Sequence, residues 1–182
     1  MPAAAKTYTW DEIKDWPESA ARTELVEGEL VVSPVPGNQH NYAAMQLTLV
    51  LLPWIVERGL GRFFPQPFSV LLAPDLTFEP DLCFVSKERE ELISEQAIEG
   101  PPDLVVEIVS ESNRTHDTVV KFEKYALHGV REYWLVDLRE QTVSTWREAD
   151  GAYQLIGRAT GQEHVATDAL SGVEVLAEKL FL

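Results

Sequence analysis

Two rhythms of apolar and polar positions divide the chain. Alternating or continuous apolar runs mark strands at Thr23-Glu24-Leu25-Val26 and Leu30-Val31-Val32, SVLLA, FEPDLCFV, DLVVEIV, REYWLVD, TVSTWR and AYQLI. Glu27-Gly28 reads as a hairpin turn in TELVEGELVV, and EADG as the clearest of the later turns. Helical signals interleave with these runs. Thr9-Trp10-Asp11-Glu12 has the form of a capping box, so a short helix starts there and ends before Pro17. A longer helix runs from Asn38 to about Arg58, closed by Gly59 and bent or interrupted near Pro53. SKEREELI is a short exposed helix, Gly100-Pro101-Pro102 a stop, and about Arg114 to His128 a third helix ended by Gly129. Strand, helix, strand over residues 104 to 137 predicts one crossover unit inside a mixed α/β sheet with hairpins at its edges.

Composition narrows this to one domain spanning 1–182, since 182 residues with 45% apolar side chains suit a single core. The formal charge of -15 argues against coating nucleic acid through a broad basic face. Acid concentrates in Asp11 to Glu29 and in SKEREELISEQ, which read as solvated faces, whereas Arg114 to Arg131 holds four Lys or Arg against two acids. The longest apolar stretch, roughly Ala43 to Val56, is interrupted by Gln46 and Pro53, and no signal-peptide core is evident, so neither membrane insertion nor secretion is expected. The single cysteine, Cys83, precludes a disulfide within one chain, and a cytoplasmic location is expected.

One position does not fit a simple core strand. In Leu104-Val105-Val106-Glu107-Ile108-Val109 a carboxylate interrupts an otherwise apolar run, and an isolated buried charge costs at least several kcal/mol. Asp81 sits in a similar setting, after Pro80 in FEPDLCFV. A magnesium or manganese ion shared by the two acids would offset the cost; a turn at Asp81 and an arginine partner for Glu107 would also do so. On the third helix, Asp117, Lys121, Lys124 and His128 form one narrow stripe, and Val119, Val120, Phe122, Tyr125, Ala126 and Leu127 cover most of the rest. The expected helix is therefore largely buried with a thin charged ridge, which either reaches the acids or faces solvent. His40 opens the long helix, and Tyr133 and Trp134 read as core and interface. Ser110 lacks a nucleophile-elbow context, and there is no Walker-type or dinucleotide-binding glycine pattern.

Pro80-Asp81, a spacer of about two dozen residues, and Glu107-Ile108-Val109 resemble the core motif of PD-(D/E)XK nucleases, with Val109 in the usual place of the lysine. With TELVEGEL, His40, Arg114, Asp117-x-x-x-Lys121-x-x-x-Tyr125 and Gly129-Val130-Arg131-Glu132-Tyr133-Trp134-Leu135-Val136-Asp137, the chain is similar from about Tyr8 to Arg147 to a large bacterial family of restriction-endonuclease-like proteins. The resemblance implies an α/β fold with a mixed central sheet flanked by helices and with N-terminal and C-terminal hairpins. It also implies magnesium- or manganese-dependent endonuclease activity on DNA. By position, Asp81, Glu107 and the Ile108 carbonyl would hold the metal, Lys121 would replace the missing strand lysine, and Glu24 would be a further ligand or a water-orienting base. A homodimer is expected, with the apolar REYWLVD and TVSTWR strands supplying an edge. The alternatives are a binding module that keeps the nuclease scaffold without cleaving and a hydrolase of small phosphoesters using the same carboxylates.

Overall fold

The computed structural model describes residues 6–17, 22–33, 35–109 and 114–182; Ser110 lies outside them. Helix α1, Trp10–Ile13, carries the expected capping box, with the Thr9 amide donating to the Glu12 carboxylate at 2.8 Å. Strands β1, Arg22–Val26, and β2, Glu29–Ser33, pair antiparallel through Glu27 and Gly28, both at positive φ. Two consecutive left-handed residues match the twist of the flanking strands. Helix α2, Asn38–Arg58, runs uninterrupted through Pro53 and ends at Gly59 in the left-handed conformation. Proline is tolerated because the carbonyl it leaves unbonded belongs to Leu49, whose side chain marks the solvent side of the helix.

FEPDLCFV is not one strand. Between β3, Gly61–Phe64, and β6, Leu82–Ser86, lie β4, Val70–Ala73, and β5, Leu76–Phe78, so Glu79-Pro80-Asp81 forms a corner between two strands. Pro80 has no N–H to give to a ladder, and the chain changes sheets there. A 3-10 turn at Lys87–Leu92 and the short β7, Ile98–Glu99, lead to β8, Leu104–Val109. The third helical segment has a π-helical stretch at His116–Lys121 continuing into α3, Phe122–Leu127. Strands β9, Glu132–Asp137, β10, Thr142–Ala149, and β11, Ala152–Thr160, complete the main sheet before a last 3-10 turn at Ala177–Leu180.

The strands form two mixed sheets, β11-β10-β9-β8-β6-β3 and β2-β1-β5-β4-β7. β8 and β9 are parallel, as the crossover through α3 requires, and β4 and β7 are the other parallel pair. β9 and β10 are interior strands, which corrects the expectation that they offer a free edge for a second copy; β3 and β11 hold the edges of that sheet. Their apolar character comes from burial within one chain.

The central strands of the larger sheet are buried on both faces. Leu104, Val106 and Ile108 pack with Ala43, Leu47, Leu51 and Ile55 of α2, a stripe at four-residue spacing, and with the C-terminal segment. Val105 joins Cys83, Val85, Tyr133 and Tyr125 on the opposite face, against Val70, Phe78 and Ile98 of the smaller sheet. Strand β8 alternates between two cores and consequently reads as a continuous apolar run. Glu107 falls at the alternating position shared with Val105, on the side of Tyr125 and the smaller sheet.

Gly61 tests how tightly β3 is held. At its φ of +147°, an added Cβ would lie 2.1 Å from the Val85 carbonyl oxygen of the paired strand. Gly61→Ala should lower the urea midpoint by the equivalent of about 1–3 kcal/mol or more, with an unchanged denaturant slope.

Candidate active site

The hairpin strand β1 brings Arg22 and Glu24, two residues apart, to one side of the smaller sheet, where they meet the main sheet. Glu24 is fully buried yet its hydrogen-bonding capacity is well used. Oε1 accepts from the Glu79 amide at 2.9 Å and lies 2.9 Å from Lys121 Nζ, while Oε2 is 2.8 Å from His116 Nε2. Lys121 Nζ also lies 3.1 Å from Glu107 Oε1 and 3.5 Å from Asp117 Oδ1. Tyr125 donates its hydroxyl to the same Glu107 oxygen at 3.2 Å.

The charged stripe is therefore the face the helix turns inward. Asp117 and Lys121 are 5% and 3% exposed, whereas Val119 and Leu127, expected in the core, are 46% and 67% exposed. Only the outer members of the stripe are peripheral: Lys124 pairs with Glu27, and His128 hydrogen-bonds the Lys124 carbonyl. A wider turn across His116–Lys121 shifts the angular positions that a uniform α-helix would assign, and three carboxylates outweigh the aliphatic preference for burial.

Asp81 adjoins this cluster. Its Oδ2 accepts from the Ile108 amide at 2.7 Å and lies 3.0 Å from His40 Nε2, and its Oδ1 is 2.5 Å from the Arg22 guanidinium. The Pro80 corner thus ties Asp81 to the residue that follows Glu107. The bond uses the amide of Ile108, so the residue expected to offer a carbonyl also anchors the second acid. Sequence patterns identified Asp81, Glu107 and Lys121 as candidates; Glu24 came from the family resemblance. Arg22, His116 and the hydroxyl of Tyr125 were missed as site groups, although the Arg22–Glu24 alternation and the His116-Asp117 pair were visible signals.

Burial is the largest influence on every acid in the cluster, and their local partners separate them. It pushes Glu24 upward, but the Lys121 charge and hydrogen bonds from His116, Lys121 and the Glu79 amide hold the group at about 2. Asp81 is likewise lifted by burial and brought below the ordinary range by His40, Arg22 and the Ile108 amide. For Glu107, burial wins: the Lys121 charge offsets part of it, while Asp117, Asp81 and Glu24 add repulsion, so the group titrates well above the usual carboxylate range. Asp117 is raised for the same first reason. Burial disfavours the Lys121 charge, but Glu107, Glu24 and Asp117 more than reverse this, so the ammonium persists at neutral pH.

A divalent cation fits this donor chemistry. Four carboxylates, Glu24, Asp81, Glu107 and Asp117, face two permanent cations, Arg22 and Lys121, so formal negative charge outnumbers permanent positive charge by two. The available donors are hard oxygens, and magnesium is commonly held by one or two carboxylates while keeping several waters. Among the described residues, no group of three or more His, Cys, Asp or Glu forms a protein-only metal site.

The mixed α/β fold, two mixed sheets with flanking helices, is of the restriction-endonuclease-like class. The chain is a member of the Uma2 family, described as "Putative restriction endonuclease", whose model matches residues 10–178. Its fold is similar to the crystal structure of "a putative nuclease belonging to DUF820" from Anabaena variabilis, with a TM-score of 0.80 and 21% identity over 94% of this chain and 96% of that chain. None of the curated proteins matches the chain significantly. The family's description points to a nuclease, and the structural likeness shows the fold.

The cluster makes two predictions about stability. Since the folded protein lowers Glu24 from its ordinary 4.5 to about 2, its ionised form stabilises the fold above pH 4.5, and that contribution is lost as pH falls toward 2. Glu24→Gln should flatten this part of the acid-unfolding curve, measured by circular dichroism. Glu107 has the opposite sign: a raised carboxyl opposes folding once pH exceeds its unfolded value. At pH 7 in a chelator, Glu107→Gln should therefore raise Tm, by about 2–4 °C for each kcal/mol relieved. Lys121→Met should lower stability by about 3–5 kcal/mol, because three buried acids lose their shared cation.

Proposed function

We propose that this chain is a divalent-metal-dependent endonuclease that hydrolyses phosphodiester bonds in DNA. The observation that carries the proposal is the convergence of β8, the Pro80 corner and the helix after β8 on one buried group of acids and a lysine. Asp81, Glu107 and the Ile108 carbonyl would hold magnesium or manganese. When bound, the cation would supply a Lewis acid for the phosphoryl oxygen and lower the pKa of a coordinated water.

The remaining contributions come from the chain. Lys121 orients the attacking water and stabilises charge developing on the phosphoryl oxygens during in-line displacement. Glu24 is committed to Lys121, His116 and the Glu79 amide, so its role is to position the ammonium and keep it charged. Tyr125 and Lys121 both engage Oε1 of Glu107 and fix that carboxylate in place. Arg22 and His40 do the same for Asp81. The buried free thiol of Cys83 suits a reducing cytoplasm.

The net charge of -15 favours a second reading, a nuclease-scaffold module that does not cleave. Supercoiled plasmid incubated with manganese or magnesium separates the two. The wild type should nick it only with the metal, while Asp81→Asn, Glu107→Gln and Lys121→Gln should each lose about 10²-fold or more of the rate. Calorimetry should show manganese binding by wild type and Lys121→Gln but not by the double carboxylate variant. No metal binding and no cleavage by the folded wild type would favour the module.

A further inference from the structure

A pocket of about 350 Å³ opens beside Asp81, between the outer face of α2 and the segment after β3. Arg22, His40 and Asp81, already part of the carboxylate site, line it. Met45, Leu49 and Pro67 give it apolar walls, and Met45 and Leu49 are 48% and 62% exposed. Asn41 and Gln66 add side-chain amides, each able to donate and accept. Nδ1 of the buried His40 has no hydrogen-bond partner among the described residues, a cost of the kind retained at ligand sites.

We infer that this pocket receives a single unpaired nucleobase of the substrate, adjoining the phosphate to be cleaved, so that the preferred substrate is single-stranded or locally unpaired DNA. The inference rests on the nuclease reading and adds the substrate class. Two observations carry it. The pocket shares Asp81 with the acid cluster, so a group seated there is next to the candidate reacting centre. In addition, a chain of formal charge -15 gains little affinity from a long run of phosphates, because that affinity depends on neutralising them with basic residues. An uncharged base against apolar walls, its polar edge met by amides, provides affinity without that requirement. The volume, near the lower bound of about 300 Å³ for small-molecule sites, suits one nucleoside-sized group. Extruding a base from an intact duplex costs unstacking energy that an already unpaired base avoids.

The test uses single-stranded oligonucleotides with either a normal base or an abasic residue beside a defined cleavage position. With manganese, the wild type should prefer the normal base by about tenfold, the scale of stacking one base. The double variant Met45→Ser, Leu49→Ser should bring that ratio close to one, and Thr48→Trp, which fills the pocket from the same helix face, should do likewise. Equal cleavage of both substrates by the wild type, or an undiminished preference in folded variants, would overturn the inference. A second readout does not depend on turnover: 2-aminopurine placed at the same position should change fluorescence when the wild type binds in calcium, and should not with Thr48→Trp. A fluorescence change without cleavage under any metal would retain the pocket and reject the hydrolytic reading. Absence of the change in a bound oligonucleotide, or absence of binding, would reject the pocket.

Discussion

Nζ of Lys121 lies within 3.5 Å of carboxylates from β1, β8 and its own helical segment, and the polar interior between the two sheets is organised around that contact. It joins the smaller sheet to the larger one and fixes which face of the helix turns inward. It also lets acids occupy positions that would otherwise demand apolar residues. The arrangement remains electrostatically unbalanced, since one ammonium cannot satisfy three acids in a medium where each must be compensated nearly in full. The imbalance falls on Glu107 and Asp117, whose ionisation is disfavoured, while Glu24 stays charged. A protein selected only for stability would have little reason to keep such a cluster, and its location beside an open pocket gives it a functional setting.

The fold explains how the acids come together. Strand β8 is covered on both faces, by α2 on one and by the smaller sheet and α3 on the other, so the Glu107 side chain is buried. The Pro80 corner lets Asp81 leave the ladder and turn its carboxylate to the amide of Ile108. Other buried acids show what a purely structural solution looks like. Glu132 takes hydrogen bonds from the Trp134 indole and from the amides of Asp168 and Ala169. Asp103 is met by Arg89, Arg131 and the Ser86 amide. Those carboxylates receive neutral donors or two guanidinium groups each, whereas Glu107 shares its ammonium with two competitors.

Local sequence was enough for α1, the β1–β2 hairpin, the extent of α2, the parallel β8–α3–β9 crossover and the Asp150-Gly151 turn, because each rests on caps, glycines or periodicity within a few residues. The same reasoning flagged Glu107 as a residue needing compensation and Lys121 as a candidate to supply it. It did not reveal β3 or β7, which are short and held mainly by their neighbours, nor the break in FEPDLCFV where the chain passes from one sheet to the other. The interior placement of β9 and β10 was equally hidden, since an apolar strand reads the same whether its neighbours belong to its own chain or to a second copy.

The sequence by itself determined that a charged residue would be buried in a core strand and that basic and acidic residues would share one stripe of the following helix. Only the tertiary structure decided that this stripe points inward, with Val119 and Leu127 left outside, and that Arg22, His40, His116 and Tyr125 hold the acids in place. The physical reason is range. Periodicity records each residue's relation to its near neighbours, whereas the free energy of a buried charge such as Glu107 or Glu24 depends on partners 14 and 92 positions away whose approach no local pattern encodes.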